Sequence, residues 1–219
     1  MKWIALACVG VLAACSSNPP IPDWQLNAKS AIERSVAAYL TGNARIDAAE
    51  LGRARSEIAR TGRADLLARV ELTHCAAQVA SLVYEPCAGF EAVRADAPAP
   101  ERAYADYLAG KLAASDAALL PEAHRGVAGN PVALGGIADP LARLVAAGVL
   151  FETNRADTSV IRTAIDTASE QGWRRPLLAW LNVELKRAEA AGAQMDADQL
   201  RRRIVIVEQQ AAASAATTR

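Results

Sequence analysis

Residues 46–51 read IDAAEL, and residues 195–200 read MDADQL. Each segment places an apolar residue first, Asp second, and Glu or Gln three residues after the Asp, followed by Leu. This order is typical of a helix N-terminus, in which the Asp caps the helix and the two apolar residues pack across its first turn. In both places a glycine lies a few residues upstream and marks the end of a preceding helix. Each segment therefore predicts a helical hairpin with a glycine turn.

The two predicted hairpins span residues 24–60 and 174–210. They look like copies of one unit, and independent origin of similar caps is the alternative. Apolar residues recur at helical spacing along most of the chain, and no stretch alternates like a strand over a convincing length. Hairpins of about 35 to 40 residues placed in line are typical of α-solenoids. The prediction is an all-α fold, with helical hairpins stacked as an α-solenoid or packed as an irregular helical bundle.

Further boundaries follow from local signals. Asp139-Pro140 predicts an N-cap followed by proline at the first helical position. Residues 126–139 contain four glycines and predict the longest loop. The run Ile204-Val205-Ile206-Val207 has strand-like composition, but its helical surroundings favour a helix. Residues 95–100, ADAPAP, predict a break between two subdomains. The predicted N-terminal helical subdomain spans 23–94 and the C-terminal one 95–210, with a disordered tail at 211–219.

The N-terminus resembles the signal peptides of bacterial lipoproteins. In residues 1–14, Lys2 is followed by a short apolar run, and Leu12-Ala13-Ala14-Cys15 matches the lipobox of that class. The resemblance implies cleavage before Cys15, lipidation of its sulfur and amine, and anchoring in membrane lipid. Ser16 after the anchor favours the outer membrane. Residues 15–22 then form a lipidated, proline-containing tether that reaches about 20 Å, so the domain should face the periplasm close to the membrane.

Charge and cysteine content narrow the function. The 24 Lys and Arg residues balance 24 Asp and Glu residues, which argues against nucleic acid as a partner. With Cys8 in the signal and Cys15 as the anchor, Cys75 and Cys87 remain, and in an oxidising compartment they predict a disulfide. Metal binding by this pair with His74 and His124 is the alternative, but no CxxC or HxxxH spacing supports it. We predict no metal and no cofactor.

Catalytic candidates are few. Glu122 and His124 precede the glycine-rich segment and have two interpretations, an acid–base pair or a solvated helix end. No GxSxG motif occurs, so we predict no catalytic residue. A lytic transglycosylase needs only one catalytic Glu in a cleft, and a lone Glu has no recognisable spacing. That class of enzyme therefore stays open.

Residues 172–176, GWRRP, predict a contact surface. Trp and Arg are favoured at binding hot spots, and a position between a Gly stop and a Pro start should expose side chains. We therefore predict Trp173, Arg174 and Arg175 as partner-binding residues. The alternative is that Trp173 packs as the apolar staple of the next helix, whose Trp180 should belong to the core.

The chain also resembles tetratricopeptide repeats weakly, through Trp24, Tyr39 and Ala48. This resemblance implies a binding scaffold. Together with the lipobox it suggests a non-catalytic helical adaptor in envelope assembly or maintenance, with an envelope protein as partner. The alternative function is a membrane-anchored enzyme acting on murein.

Overall fold

A computed structural model describes residues 21–217, with side chains described from 21 to 209. Every regular element in this part of the chain is helical, so the all-α prediction is confirmed. The predicted signal peptide (residues 1–14) and Cys15 lie outside the described residues. Three short 3₁₀ helices span Arg94–Asp96, Ala114–Leu119 and Pro131–Gly136. The α-helices are α1 (Asp23–Thr41), α2 (Ala44–Ala59), α3 (Ala64–Ala80), α4 (Ala88–Glu91), α5 (Ala99–Leu108), α6 (Glu122–Gly129), α7 (Pro140–Glu152), α8 (Thr158–Glu170), α9 (Arg174–Ala190) and α10 (Gln194–Thr217).

Helices α3 and α7 pack against each other at the centre of the molecule. Helix α3 also contacts α1, α2 and α5. Helix α8 packs against α7 and α9, and α10 packs against α9. Helix α1 in turn contacts α9, although the two are far apart in sequence. In a solenoid each repeat contacts only its neighbours. The contact between α1 and α9 therefore fits the irregular bundle rather than the α-solenoid.

The main hydrophobic core draws on residues before and after the predicted boundary at residues 94 and 95. Leu72 and Val79 of α3 share this core with Leu144 of α7 and with Trp180 of α9. Trp180 is fully buried, which confirms its predicted place, and its Nε1 donates a hydrogen bond to the carbonyl oxygen of Ala80 at 3.1 Å. A smaller core lies between α1, α2 and the start of α3.

The predicted cap of α2 is wrong. The helix begins at Ala44, and Oδ1 of Asn43 accepts a hydrogen bond from the backbone N–H of Ile46 at 3.2 Å. Asn43 follows the left-handed Gly42 directly, so the helix restarts one turn earlier than the Asp47 pattern indicates. Asp47 lies inside the first turn instead, and the exposed side chain of Ile46 forms no buried staple.

Other predicted boundaries have mixed outcomes. Helix α10 likewise begins at Gln194, before the predicted cap Asp196, and Met195 is 87% exposed. The predicted loop at 126–139 is wrong, because α6 and a 3₁₀ helix occupy most of it. The cap at Asp139 is confirmed by its hydrogen bond from the backbone N–H of Ala142 at 2.7 Å. Helix α10 includes Ile204–Val207 and continues to residue 217, where the sequence predicts a disordered tail; its alanine-rich composition favours helix.

Candidate functional site

The predicted contact residues Trp173 and Arg175 lie where α9 begins against the end of α1. The half-buried Trp173 packs on a cluster that contains Tyr39 and Leu40 of α1. Nε of Arg175 donates a hydrogen bond to the carbonyl oxygen of Tyr39 at 2.8 Å, and its guanidinium lies 4.3 Å from the centre of the Tyr39 ring. The same carbonyl oxygen also accepts a hydrogen bond from the backbone N–H of Gly42 at 3.0 Å, so Arg175 adds a second donor to the C-terminal cap of α1. Both residues therefore join two elements of the fold.

Arg174 has a different environment. Its side chain is half-buried and lies against Gly42, where an added Cβ would overlap with the guanidinium. Within the described residues its guanidinium makes no hydrogen bond and no ion pair, unlike that of Arg175. Of the two predicted contact arginines, Arg174 is thus the one whose whole guanidinium makes no hydrogen bond to the described residues.

A buried polar cluster that the sequence did not reveal joins α1, α2 and α3. Oδ1 of Asp47 accepts a hydrogen bond from Oγ of Ser35 at 2.6 Å, and Nε2 of His74 lies 3.0 Å from the same oxygen. The His74 ring also meets Tyr39 edge-on, with centroids 5.4 Å apart. In a nucleophilic triad the histidine lies between serine and carboxylate. Here the carboxylate lies in the middle, so the cluster cannot activate Ser35 and instead ties the three helices together.

Cys75 and Cys87 form the disulfide that the sequence predicts, with sulfurs at bonding distance and Cα atoms 6.0 Å apart. The bond ties the segment before α4 to the middle of α3. No group of three or more His, Cys, Asp or Glu side chains in the described residues could hold a metal ion. Close by, Nε and Nη2 of Arg55 bind the buried carboxylate of Glu71 at 2.5 and 2.7 Å.

His124 is buried in α6, with 3% of its surface exposed, so its predicted place at a solvated helix end is wrong. Its ring lies 5.5 Å from that of Tyr104 and 5.1 Å from that of Tyr107, and burial lowers the pKa of His124 to about 4. Burial likewise raises the pKa of both tyrosines. Glu122 is exposed two positions earlier, and residues two apart on a helix do not face each other. The two residues therefore form no acid–base pair.

Beside this aromatic cluster lies a groove of about 490 Å³ between α3, α5 and the segment that leads into α6. We call it the Glu101 groove. Glu101 is 7% exposed and accepts a hydrogen bond from Nε of Arg69 at 2.7 Å. Glu101 thus matches the expectation of a single Glu in a cleft. The lining of the groove includes Arg69, Glu101, Tyr104, Leu119, Pro121 and Arg125.

Comparisons with protein-family models, curated proteins and solved structures found no match for this chain. Among the described residues, no helix has both the length and the apolar character needed to cross a membrane.

Proposed function

We propose that this protein is an outer-membrane lipoprotein, anchored through acylated Cys15, that faces the periplasm and works as a non-catalytic helical adaptor for an envelope protein. The resemblance of residues 12–15 to a lipobox supports the anchor. The all-α bundle of hairpins supports a scaffold. The observation that carries the proposal is the outward face of α10, the last helix.

Helix α10 packs chiefly against α9 and leaves its other face without a neighbour in the described part of the chain. On this face Ile206 is 63% exposed, Val205 is also exposed, and the exposed Arg202 lies one turn earlier. Exposed apolar side chains bordered by an arginine are typical of protein interfaces. The same hairpin carries Trp173, Arg174 and Arg175, so we assign partner binding to it.

Site-specific photocrosslinking in intact cells tests the adaptor. A photoreactive amino acid at position 174 or 206 should give one adduct of defined mass, the same from both positions. The matched control is position 45, because Arg45 is exposed on the other hairpin. Absence of any adduct at both positions, or the same set of adducts at position 45, would contradict the proposal.

A matched variant separates binding from folding. Arg174→Ala should keep the helical circular dichroism of the wild type and reduce the adduct formed at position 206. A Trp173→Ala/Arg175→Ala double variant does not separate binding from stability, because Arg175 caps α1 and Trp173 packs on it. We expect that double variant to lose stability as well as partner capture.

The second candidate function is a murein-acting enzyme, and the buried Glu101 in its groove favours it. A glycosidase acid must be able to reach the leaving oxygen of its substrate. Oε1 of Glu101 instead accepts a hydrogen bond from Arg69, and this pairing favours the adaptor over the enzyme. Incubation of purified cell-wall sacculi with the lipoprotein decides between them. Release of soluble glycan fragments by the wild type, but not by Glu101→Gln, would establish the enzyme.

A further inference from the structure

The Glu101 groove contains a carboxylate oxygen that lacks a partner. Oε1 of Glu101 accepts the hydrogen bond from Arg69, but Oε2 is buried and has no hydrogen-bond donor within the described residues. A buried carboxylate oxygen without a donor is costly, and most such groups in folded proteins are satisfied. A donor N–H or O–H from a ligand in the groove would supply the missing hydrogen bond.

Two guanidinium groups border the same groove. Nε of Arg69 donates a hydrogen bond to Glu101, and Nε of Arg125 donates one to the carbonyl oxygen of Leu120 at 2.8 Å. Both side chains are exposed, and within the described residues their terminal nitrogens make no further hydrogen bond. Two cations against one carboxylate favour a ligand with negative charge. A guanidinium binds carboxylates well because its planar fork matches their two oxygens.

The remaining lining is apolar and aromatic. Tyr104 stacks on Tyr107 with centroids 6.1 Å apart, and Leu119 and Pro121 line the groove beside it. The volume of about 490 Å³ falls in the range of about 300 to 1,000 Å³ that is typical of sites for small ligands. The groove thus offers an apolar wall, a carboxylate oxygen that can accept a hydrogen bond from an N–H group, and two guanidinium groups that can bind carboxylates.

We propose that the Glu101 groove binds a short peptide with free carboxylates. Arg69 and Arg125 pair with the carboxylates, Glu101 accepts a hydrogen bond from a backbone N–H, and apolar side chains pack on Tyr104 and Leu119. For a protein in the periplasm, which is part of the proposed function, the stem peptide of the cell wall has this chemistry. The adaptor would then contact the wall through this groove and its protein partner through α9 and α10.

Calorimetric titration of the full lipoprotein in detergent micelles tests this assignment. The probe is the purified tetrapeptide stem from bacterial cell wall, and the matched probe is the same peptide with its carboxylates amidated. We expect the wild type to bind the tetrapeptide and to bind the amidated form at least about tenfold more weakly, because charge-assisted hydrogen bonds are lost. Arg125→Gln should weaken binding of the tetrapeptide by a similar factor. Arg45→Gln, at an exposed arginine on α2, should leave it unchanged.

Glu101→Gln replaces one acceptor oxygen with an amide and should also weaken binding, and circular dichroism shows whether the fold is kept. Arg125 is exposed, so its variant stays informative if Glu101→Gln fails to fold. Equal affinity for the two peptides, equal affinity of Arg125→Gln and wild type, or no binding at millimolar peptide would overturn the proposal. If peptide binding fails in one of these ways while crosslinking at position 174 is intact, only the proposal for the groove is rejected. Peptide binding without crosslinking would instead reject the adaptor.

Discussion

At Gly148 the two central helices come into backbone contact. An added Cβ at this position would lie closer to the carbonyl oxygen of Val79 in α3 than real Cβ atoms approach. Only glycine, which has no Cβ, therefore fits at this point of α7. Oη of Tyr84, in the segment that follows α3, donates a hydrogen bond to the carbonyl oxygen of Gly148 at 2.9 Å and fixes the same contact. The core built on α3 and α7 depends on this spacing.

We predict that Gly148→Ala lowers the free energy of unfolding by about 1 to 3 kcal/mol, because the methyl group forces α3 and α7 apart. Urea unfolding followed by circular dichroism measures the change. Gly52→Ala is the matched control, because Gly52 is exposed in α2 and an added Cβ meets nothing within 4 Å. That variant should gain about 0.5 to 1 kcal/mol from helix propensity. Equal effects of the two substitutions would contradict the close contact.

His124 should make stability depend on pH. Burial holds the pKa of His124 near 4 in the folded protein, against 6.5 for the free side chain. Between these two values the unfolded chain binds a proton that the folded chain does not, so the free energy of unfolding falls as the pH decreases. At pH 4.5 the loss amounts to about 2 to 3 kcal/mol relative to pH 8.

The measurement is urea unfolding of the wild type and of His124→Gln between pH 8 and pH 4.5. The variant should be less stable at pH 8, where it loses packing against the tyrosines, and it should lose less stability on acidification. His74 is present in both proteins, so its contribution cancels. A parallel pH dependence of the two proteins would show that His124 titrates normally.

The contacts and burial of single residues were harder to predict from the sequence than the helices were. The spacing around Asp47 indicated a helix cap, yet its carboxylate lies among Ser35 and His74 of two other helices. The burial of His124 could not be read from its neighbours Glu122 and Arg125, because it depends on two tyrosines in another helix. Both cases involve partners that lie far away in sequence and have no fixed spacing.

At the level of elements, the disulfide between α3 and the segment before α4 is the strongest local constraint. We predict that reduction lowers the melting temperature by roughly 5 to 10 °C, because a closed loop of about 13 residues contributes on the order of 3 kcal/mol. Far-ultraviolet circular dichroism should change little, since the helices on both sides remain.

The control is a Cys75→Ser/Cys87→Ser variant, whose melting temperature should already be low and should not respond to reductant. Peptide mass spectrometry after thiol blocking checks the bond directly. Labelling of both sulfurs in protein isolated without reductant would contradict the pairing.

The element types followed from the sequence, whereas several element boundaries did not. Pro140 at the first helical position placed α7 correctly, because proline and a preceding Asp act locally. The starts of α2 and α10 each came earlier than their Asp residues suggested, because the glycine turn already allows the helix to begin. The contact of α9 with α1 had no signal in the sequence, although the residues that make it, Trp173 and Arg175, were singled out for another reason.

At the level of the whole molecule, the proposed lipid anchor at Cys15 would determine where the bundle works. We predict that Cys15→Ala abolishes acylation and leaves the signal peptide uncleaved or the protein in the wrong compartment. Metabolic labelling with a fatty-acid probe and fractionation of the envelope measure this result. Cys8→Ala is the matched control, because Cys8 lies in the same segment and should leave labelling intact. Continued incorporation of lipid in Cys15→Ala would reject the anchor.

The cap that Arg175 places on Tyr39 joins residues 136 positions apart in the chain. Helix α1 comes early in the chain and α9 comes late, so the carbonyl oxygen of Tyr39 gains its hydrogen bond from Arg175 only after α9 has been synthesised. Folding of such distant contacts is slower than folding of local hairpins. The first hairpin can therefore form while the part of its surface that Trp173 covers is still exposed to solvent. Val36, Tyr39 and Leu40 share a cluster with Trp173, and until α9 is in place this apolar surface is open to unwanted association.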